Sequence, residues 1–167
     1  QAGDLIVTRD SGLQPIRWVG QRTFTAAALK LQPHLRPVAF AAGALDNTEA
    51  LTVSPEHRML VTGWRAEVLF GESELLVPAK ALVNGDTIAQ VSPSEGVEYF
   101  HVMFDNHEVI RAEGAWSESF NPDATAMAAL PSETRDELLE IFPELSSGEG
   151  QPKVRPVAGK VAHDLIA

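Results

Sequence analysis

The sequence predicts a mainly β protein with a short C-terminal helical extension, and three observations carry that prediction. Short runs of β-branched, aromatic and aliphatic residues follow one another from Leu5 to Ala112. They are broken by Asp10-Ser11-Gly12, Asn84-Gly85-Asp86 and Asp105-Asn106, where Gly, Asn and Asp accept the backbone angles a tight reversal needs. After Phe120 the composition changes, and an Ala- and Met-containing stretch leads into a run with acidic residues in its first turn.

In chain order, the runs that read as strands are Leu5 to Thr8, Ile16 to Val19, Arg22 to Thr25, Arg58 to Thr62, Ala66 to Phe70, Thr87 to Val91, Val97 to Phe104 and His107 to Ala112. A period of two places Phe100, Val102 and Phe104 on one face of the seventh run, the expected core face. Tyr99, His101, Met103 and Asp105 fall on the other, which gives His101 a solvated or cross-strand role. Asp105-Asn106 reads as a hairpin tip. Beyond Phe120, Asp123 and Ser132 are suitable N-caps for two short helices. Leu138, Ile141 and Phe142 make one apolar stripe that would dock this packing appendage on the β body. The expected organisation is a β domain over residues 1–120, a helical extension over 121–145, and a linker and tail over 146–167. The linker is Ser146-Ser147-Gly148-Glu149-Gly150-Gln151-Pro152, and the residues after it either add an element or trail in solution.

The 167 residues suffice for one domain with its own core. A net charge of −10, with the 13 Lys and Arg scattered, would repel a phosphate backbone and argues against nucleic-acid binding. No apolar run is long enough to span a bilayer, so no membrane insertion is expected. Without cysteine the chain has no disulfide, thiolate zinc site or Cys nucleophile of its own. No signal peptide opens the sequence, so export would be specified by a segment outside it.

Two His signatures carry the chemistry. Ser54-Pro55-Glu56-His57 sets a hydroxyl three residues before an imidazole across a proline-stiffened turn, so both could address one peptide group. By itself that spacing also fits a surface His after a Pro turn. Phe104-Asp105-Asn106-His107 sets a carboxylate two residues before a second imidazole. Asp105 has two readings: it sets the tautomer of His107, or it is there because a turn favours Asp and Asn. His34 and His163 read as structural or solvated.

The order of several fragments is more specific than any one of them. Gly3-Asp4-Leu5-Ile6-Val7-Thr8-Arg9-Asp10, Gln14-Pro15-Ile16-Arg17-Trp18-Val19-Gly20, Val53 to Arg58, Leu76-Val77-Pro78-Ala79-Lys80 and Phe104 to Ile110 occur in one sequence. Together they resemble the Hint (hedgehog/intein) self-processing domain in its bacterial Hint-2 form, over roughly Gly3 to Phe120. The segment from Glu113 to Phe120 looks like the one that closes that form.

The resemblance implies a Hint-like β horseshoe and a self-processing reaction. In such domains a Cys or Ser side chain at the start of the domain attacks the preceding peptide bond, an N-to-S/O acyl shift that yields a thioester or ester. His57 would then be the principal acid/base residue and Ser54 its oxyanion or orienting partner. His107, with Asp105 nearby, would activate the nucleophile that resolves the ester, so His57 and His107 are expected to share a cleft. The family's nucleophile lies some two to three dozen residues before the Gly-Asp-Leu-Ile-Val-Thr segment, whereas only Gln1 and Ala2 precede it here, so this chain is expected to be inactive alone. Its close lacks the His-Asn pair of splicing inteins, which points to cleavage or transfer of an upstream passenger rather than splicing. The partner is therefore an upstream segment of the same polypeptide, secreted with it where the family's association with exported proteins holds.

Two other readings compete. One is a non-catalytic β-rich interaction or scaffold module of a secreted protein, which the missing nucleophile and the helical appendage fit. The other is a metal site using His57, His101 or His107 with Asp105 or Glu108. No H-x-x-x-H or H-E-x-x-H spacing fixes a ligand pair, so no metal and no cofactor is expected.

Overall fold

Antiparallel pairing of short strands organises the chain. A computed structural model describes residues 1–148 and 150–158, and among them are eleven strands and four α-helices. Strands β1 (Leu5–Val7) and β2 (Leu13–Pro15) form the opening hairpin. Its turn closes where the Thr8 N–H and hydroxyl both donate to the Gly12 carbonyl at 2.8 Å, with Gly12 at φ +68°. Strand β3 (Trp18–Phe24) pairs along its whole length with β9 (Val97–Met103), and β4 (Val38–Phe40) lies between β5 (Leu51–Val53) and β8 (Ile88–Gln90). The largest sheet has four strands, in the order β10 (Val109–Ala112), β11 (Ala115–Glu118), β6 (Arg58–Thr62) and β7 (Glu74–Pro78).

Burial explains the composition of the central strands. Met59, Leu60 and Val61 are all buried, as are Leu75, Leu76 and Val77, because both faces of β6 and β7 are covered. One face packs on Val38, Phe40, Leu82 and Ile88. The other packs Leu60 and Leu76 on Val109, Trp116, Val154 and Val157, so residues 150–158 close it. Leu76 is bridged there in parallel to Val157, its N–H donating to the Pro156 carbonyl and its carbonyl accepting from the Ala158 N–H, each at 2.9 Å. The composition-defined linker is thus partly structured: Pro143–Ser147 is a 3-10 helix, and the stretch past Gly150 lies along β7. His163 and the other residues of 159–167 lie outside the described residues.

The helical extension is α3 (Ala124–Ala129) and α4 (Ser132–Ile141). The Asp123 carboxylate caps α3 by accepting from the Thr125 and Ala126 N–H groups, as expected. Leu138 and Phe142 are buried with Met127 against Trp18 and Met103, docking the extension on the β3–β9 pair.

The structure corrects several expectations. The run Ala66 to Phe70 is part of a helix, α2 (Trp64–Phe70), bounded by Gly63 and Gly71 at positive φ; Gly71 is the left-handed C-cap that ends it. A further short helix, α1 (Ala26–Leu31), is capped by Thr25. In β9 the inward residues are Tyr99 and Met103, while Phe100 is 60% exposed. Met103 lies opposite Trp18, and that pair accepts the helical extension, so the face assigned to the core is turned out at Phe100. Phe104, just past the strand, is buried with Ile16 and Ile110 as predicted. Asp105-Asn106 is no hairpin tip, because β9 pairs with β3 and β10 with β11, and the bend carries the chain between two sheets. Ser132 is the first residue of α4, with Pro131 at the cap, and Ile141 is 42% exposed rather than part of the docking stripe.

Candidate functional site

The Ser54–His57 signature forms a turn at the mouth of β6. Pro55 follows Ser54, and the His57 N–H donates back to the Ser54 carbonyl at 3.1 Å. The segment after β7 latches this turn from outside: Ala79 N–H donates to the His57 carbonyl at 2.9 Å, Lys80 N–H donates to the Pro55 carbonyl at 3.0 Å, and the Lys80 ammonium pairs with Glu56. Two of the fragments singled out in the sequence are therefore parts of one device that fixes the backbone of His57.

Ser54 and His57 line a cavity of about 820 Å³. Its other walls come from β9 at Tyr99 and His101, from the end of β11 at Glu118, and from α3 at Ala126 and Ala129. The cavity is mostly apolar, with a few convergent polar groups, as in sites that bind and orient a chain or ligand. Burial lowers the pKa of His57 below the ordinary histidine value; Glu118 opposes that shift and Arg58 adds to it. His101 is lowered to about 4, by burial first and then by the charges of His57 and Arg22. Both rings are therefore neutral near pH 7, able to accept a proton at one nitrogen and donate from the other.

His107 is 1% exposed and does not line the cavity. Its Nδ1 accepts from the Val154 N–H at 3.4 Å, which leaves Nε2 as the N–H nitrogen of the ring. That nitrogen stands 3.5 Å from Glu118 Oε2, short of an aligned hydrogen bond. Glu118 lies between the two signatures: its Oε1 accepts from the Arg58 N–H at 3.2 Å and its Oε2 from Arg58 Nη1 at 2.9 Å. Burial acts to raise its pKa, but His107, Arg58 and His57 together bring it below the ordinary carboxylate value. Asp105 is exposed, with its carboxylate 3.2 Å from Arg17 Nη1. The partner that orients His107 is thus the Val154 N–H rather than Asp105.

The structure brings Ser54 and His57 together, sets His107 behind Glu118, and leaves Asp105 at the surface. Sequence reasoning misses Glu118, which it places only within a closing segment, and gives His101 a solvated or cross-strand role. The signal for Glu118 is a carboxylate in Ser117-Glu118-Ser119, flanked by hydroxyls and followed by Phe120. Its meaning depends on the β11–β6 pairing of Ser117 with Met59, which no local pattern announces. The α3 wall likewise gives the extension a place in the site beyond packing. Among the described residues, no group of three or more His, Asp and Glu side chains is arranged to hold a metal ion.

No curated protein and no solved structure matches the chain significantly. The family model of the Hint domain matches residues 1–124, which cover every strand and the cavity walls up to the start of α3. With a match over most of its length, and with a mainly β body that fits such a fold, this chain belongs to the Hint domain family.

Proposed function

We propose that this chain is a self-processing domain that cleaves or transfers an upstream passenger segment of its own polypeptide by an N-to-S/O acyl shift. The observation that supports this reading best is the pairing of a partly buried, neutral His57 with Ser54 on one rigid turn at the wall of a mostly apolar cavity. A Cys or Ser side chain supplied upstream of Gly3 attacks the carbonyl carbon of the peptide bond before it. The new C–S or C–O bond forms as the C–N bond breaks, and the thiol or hydroxyl proton passes through His57 to the departing amine. A neutral imidazole suits this step, because it must accept that proton before it can donate it. The Ser54 hydroxyl polarises the attacked carbonyl or orients the ring. Water, a thiol, an alcohol or an amine then resolves the ester.

Intact-mass analysis tests the proposal on a chain extended upstream of Gln1 by its own coding sequence and a short passenger, incubated with and without thiol. Cleavage at one bond that His57→Ala abolishes is the expected result. One uncleaved mass under all conditions would instead favour the non-catalytic scaffold module.

A further inference from the structure

Glu118 is the point at which the two His signatures meet. It is 8% exposed, sits at the end of β11, and lines the same cavity as His57. Its Oε1 holds the Arg58 N–H, which belongs to the peptide bond immediately after His57. Its Oε2 holds the Arg58 guanidinium and faces His107 Nε2. His107 is in turn fixed by Val154 on the segment that closes the sheet. A buried carboxylate with this many contacts is costly to leave unpaired, and a packing role alone would be met by an apolar side chain.

We propose that Glu118 is the positioning residue of this site, gripping the backbone that carries His57 and supplying the negative charge that a protonated His57 needs, with His107 as the prop behind it. The proposal rests on the self-processing reading for its consequence in catalysis, although the geometry stands apart from it. Of the charged and titratable groups that line the cavity, Glu118 on β11, Arg58 on β6 and His101 on β9 are the ones whose charge is coupled to His57, while Arg22, His34, Glu56, Glu98 and Asp123 line it as well. Without Glu118, the Arg58 cation and a neighbouring imidazole remain with no anion between them. His57 then becomes harder to protonate, and its backbone loses a tether. His107 accordingly acts through Glu118 rather than on a nucleophile in the cavity.

The test has two arms. In the first, ring-proton NMR follows the titration of His57 in the 167-residue chain, with His57→Ala identifying the signal. Glu118→Gln should move the midpoint of His57 further down, and Arg58→Gln should move it up. A midpoint unchanged in Glu118→Gln overturns the proposal. If Glu118→Gln does not fold, Glu118→Asp replaces it: the shorter side chain keeps the charge but withdraws it from the Arg58 N–H, whose amide exchange should then speed up, and unchanged exchange at Arg58 overturns the proposal. In the second arm, the extended chain carrying Glu118→Gln should cleave roughly tenfold or more slowly. Wild-type cleavage in Glu118→Gln, beside a dead His57→Ala, sinks the role of Glu118 alone. Cleavage that survives His57→Ala removes His57 from the reaction, and a wild-type extended chain that never cleaves sinks the self-processing reading; in both cases the NMR arm still decides whether Glu118 governs His57.

Discussion

At the residue scale, two of the three histidines that line the cavity, His57 and His101, make the stability of the fold depend on acid. His101 titrates at about 4 in the folded chain against an ordinary value of 6.5, and burial also depresses His57. A histidine with a depressed folded pKa binds more protons when unfolded. Its neutral form therefore favours the fold above pH 6.5, and that contribution is lost as pH falls toward about 4. Glu118 and Glu74, both depressed, act in the same direction at lower pH, since each favours the fold only while ionised. Urea unfolding across that window should give a midpoint that falls steadily with pH. His101→Asn, which cannot titrate, should flatten the upper part of the fall. An identical slope in wild type and variant would mean that His101 is no more buried from protons in the fold than in the unfolded chain.

At the element scale, the helical extension depends on a small apolar contact. Helix α4 docks through Leu138, which is fully buried, with Phe142 and Leu145 against Trp18 and Met103. Leu138→Ala removes the centre of that contact and should cost about 2–5 kcal/mol, read as a lowered Tm. Because α3 walls the cavity and the Arg22 guanidinium donates to the Ala129 carbonyl at 3.0 Å, loosening α4 should also raise hydrogen exchange in α3. A Tm loss without faster exchange there would show that α3 is held by the β body alone. Legibility follows the same logic. Strand β6 is legible with its observed limits, Arg58 to Thr62, because its run is apolar and unbroken. The three-residue strands β4 and β5 are not, since so few residues cannot display a period, whereas the equally short β1 and β8 are legible within the longer runs Leu5 to Thr8 and Thr87 to Val91. The β7 segment stands out only as part of a family fragment. Helix α2 reads as a strand because Val68 and Phe70 favour β structure, and the flanking glycines, which end helices as readily as they make turns, decide otherwise. In β9, alternation gives the period but cannot tell which face is in. The docking of α4 on Trp18 and Met103 settles that, and it is a long-range fact.

At the scale of the whole molecule, the turn that carries His57 is legible in the sequence and its surroundings are not. The turn Ser54–His57 is local, whereas Glu118 reaches it through the pairing of β11 with β6, and His107 is buried by a segment 47 residues further on. That segment also closes the second face of the central sheet. Arg155 fastens it by pairing with Glu74, which Arg9 also binds, and with Asp10 at 2.8 Å in the turn of the first hairpin. A four-charge network joining β1–β2, β7 and the C-terminal segment ties down the strap that holds His107 in its tautomer. Its groups are partly exposed, so Arg155→Ala should cost only about 1 kcal/mol of global stability. Its local effect should be larger. The N–H groups of Ala158 and Leu76, paired across the strap, should exchange markedly faster, while the Leu60 and Val61 amides in β6 keep their protection. Unchanged exchange at Ala158 would mean that Val154 and Val157 hold the strap by apolar packing alone. Equal acceleration throughout β6 would mean that the strap opens only when the whole sheet does, making its residues a structural part of the domain rather than a separable cover over His107.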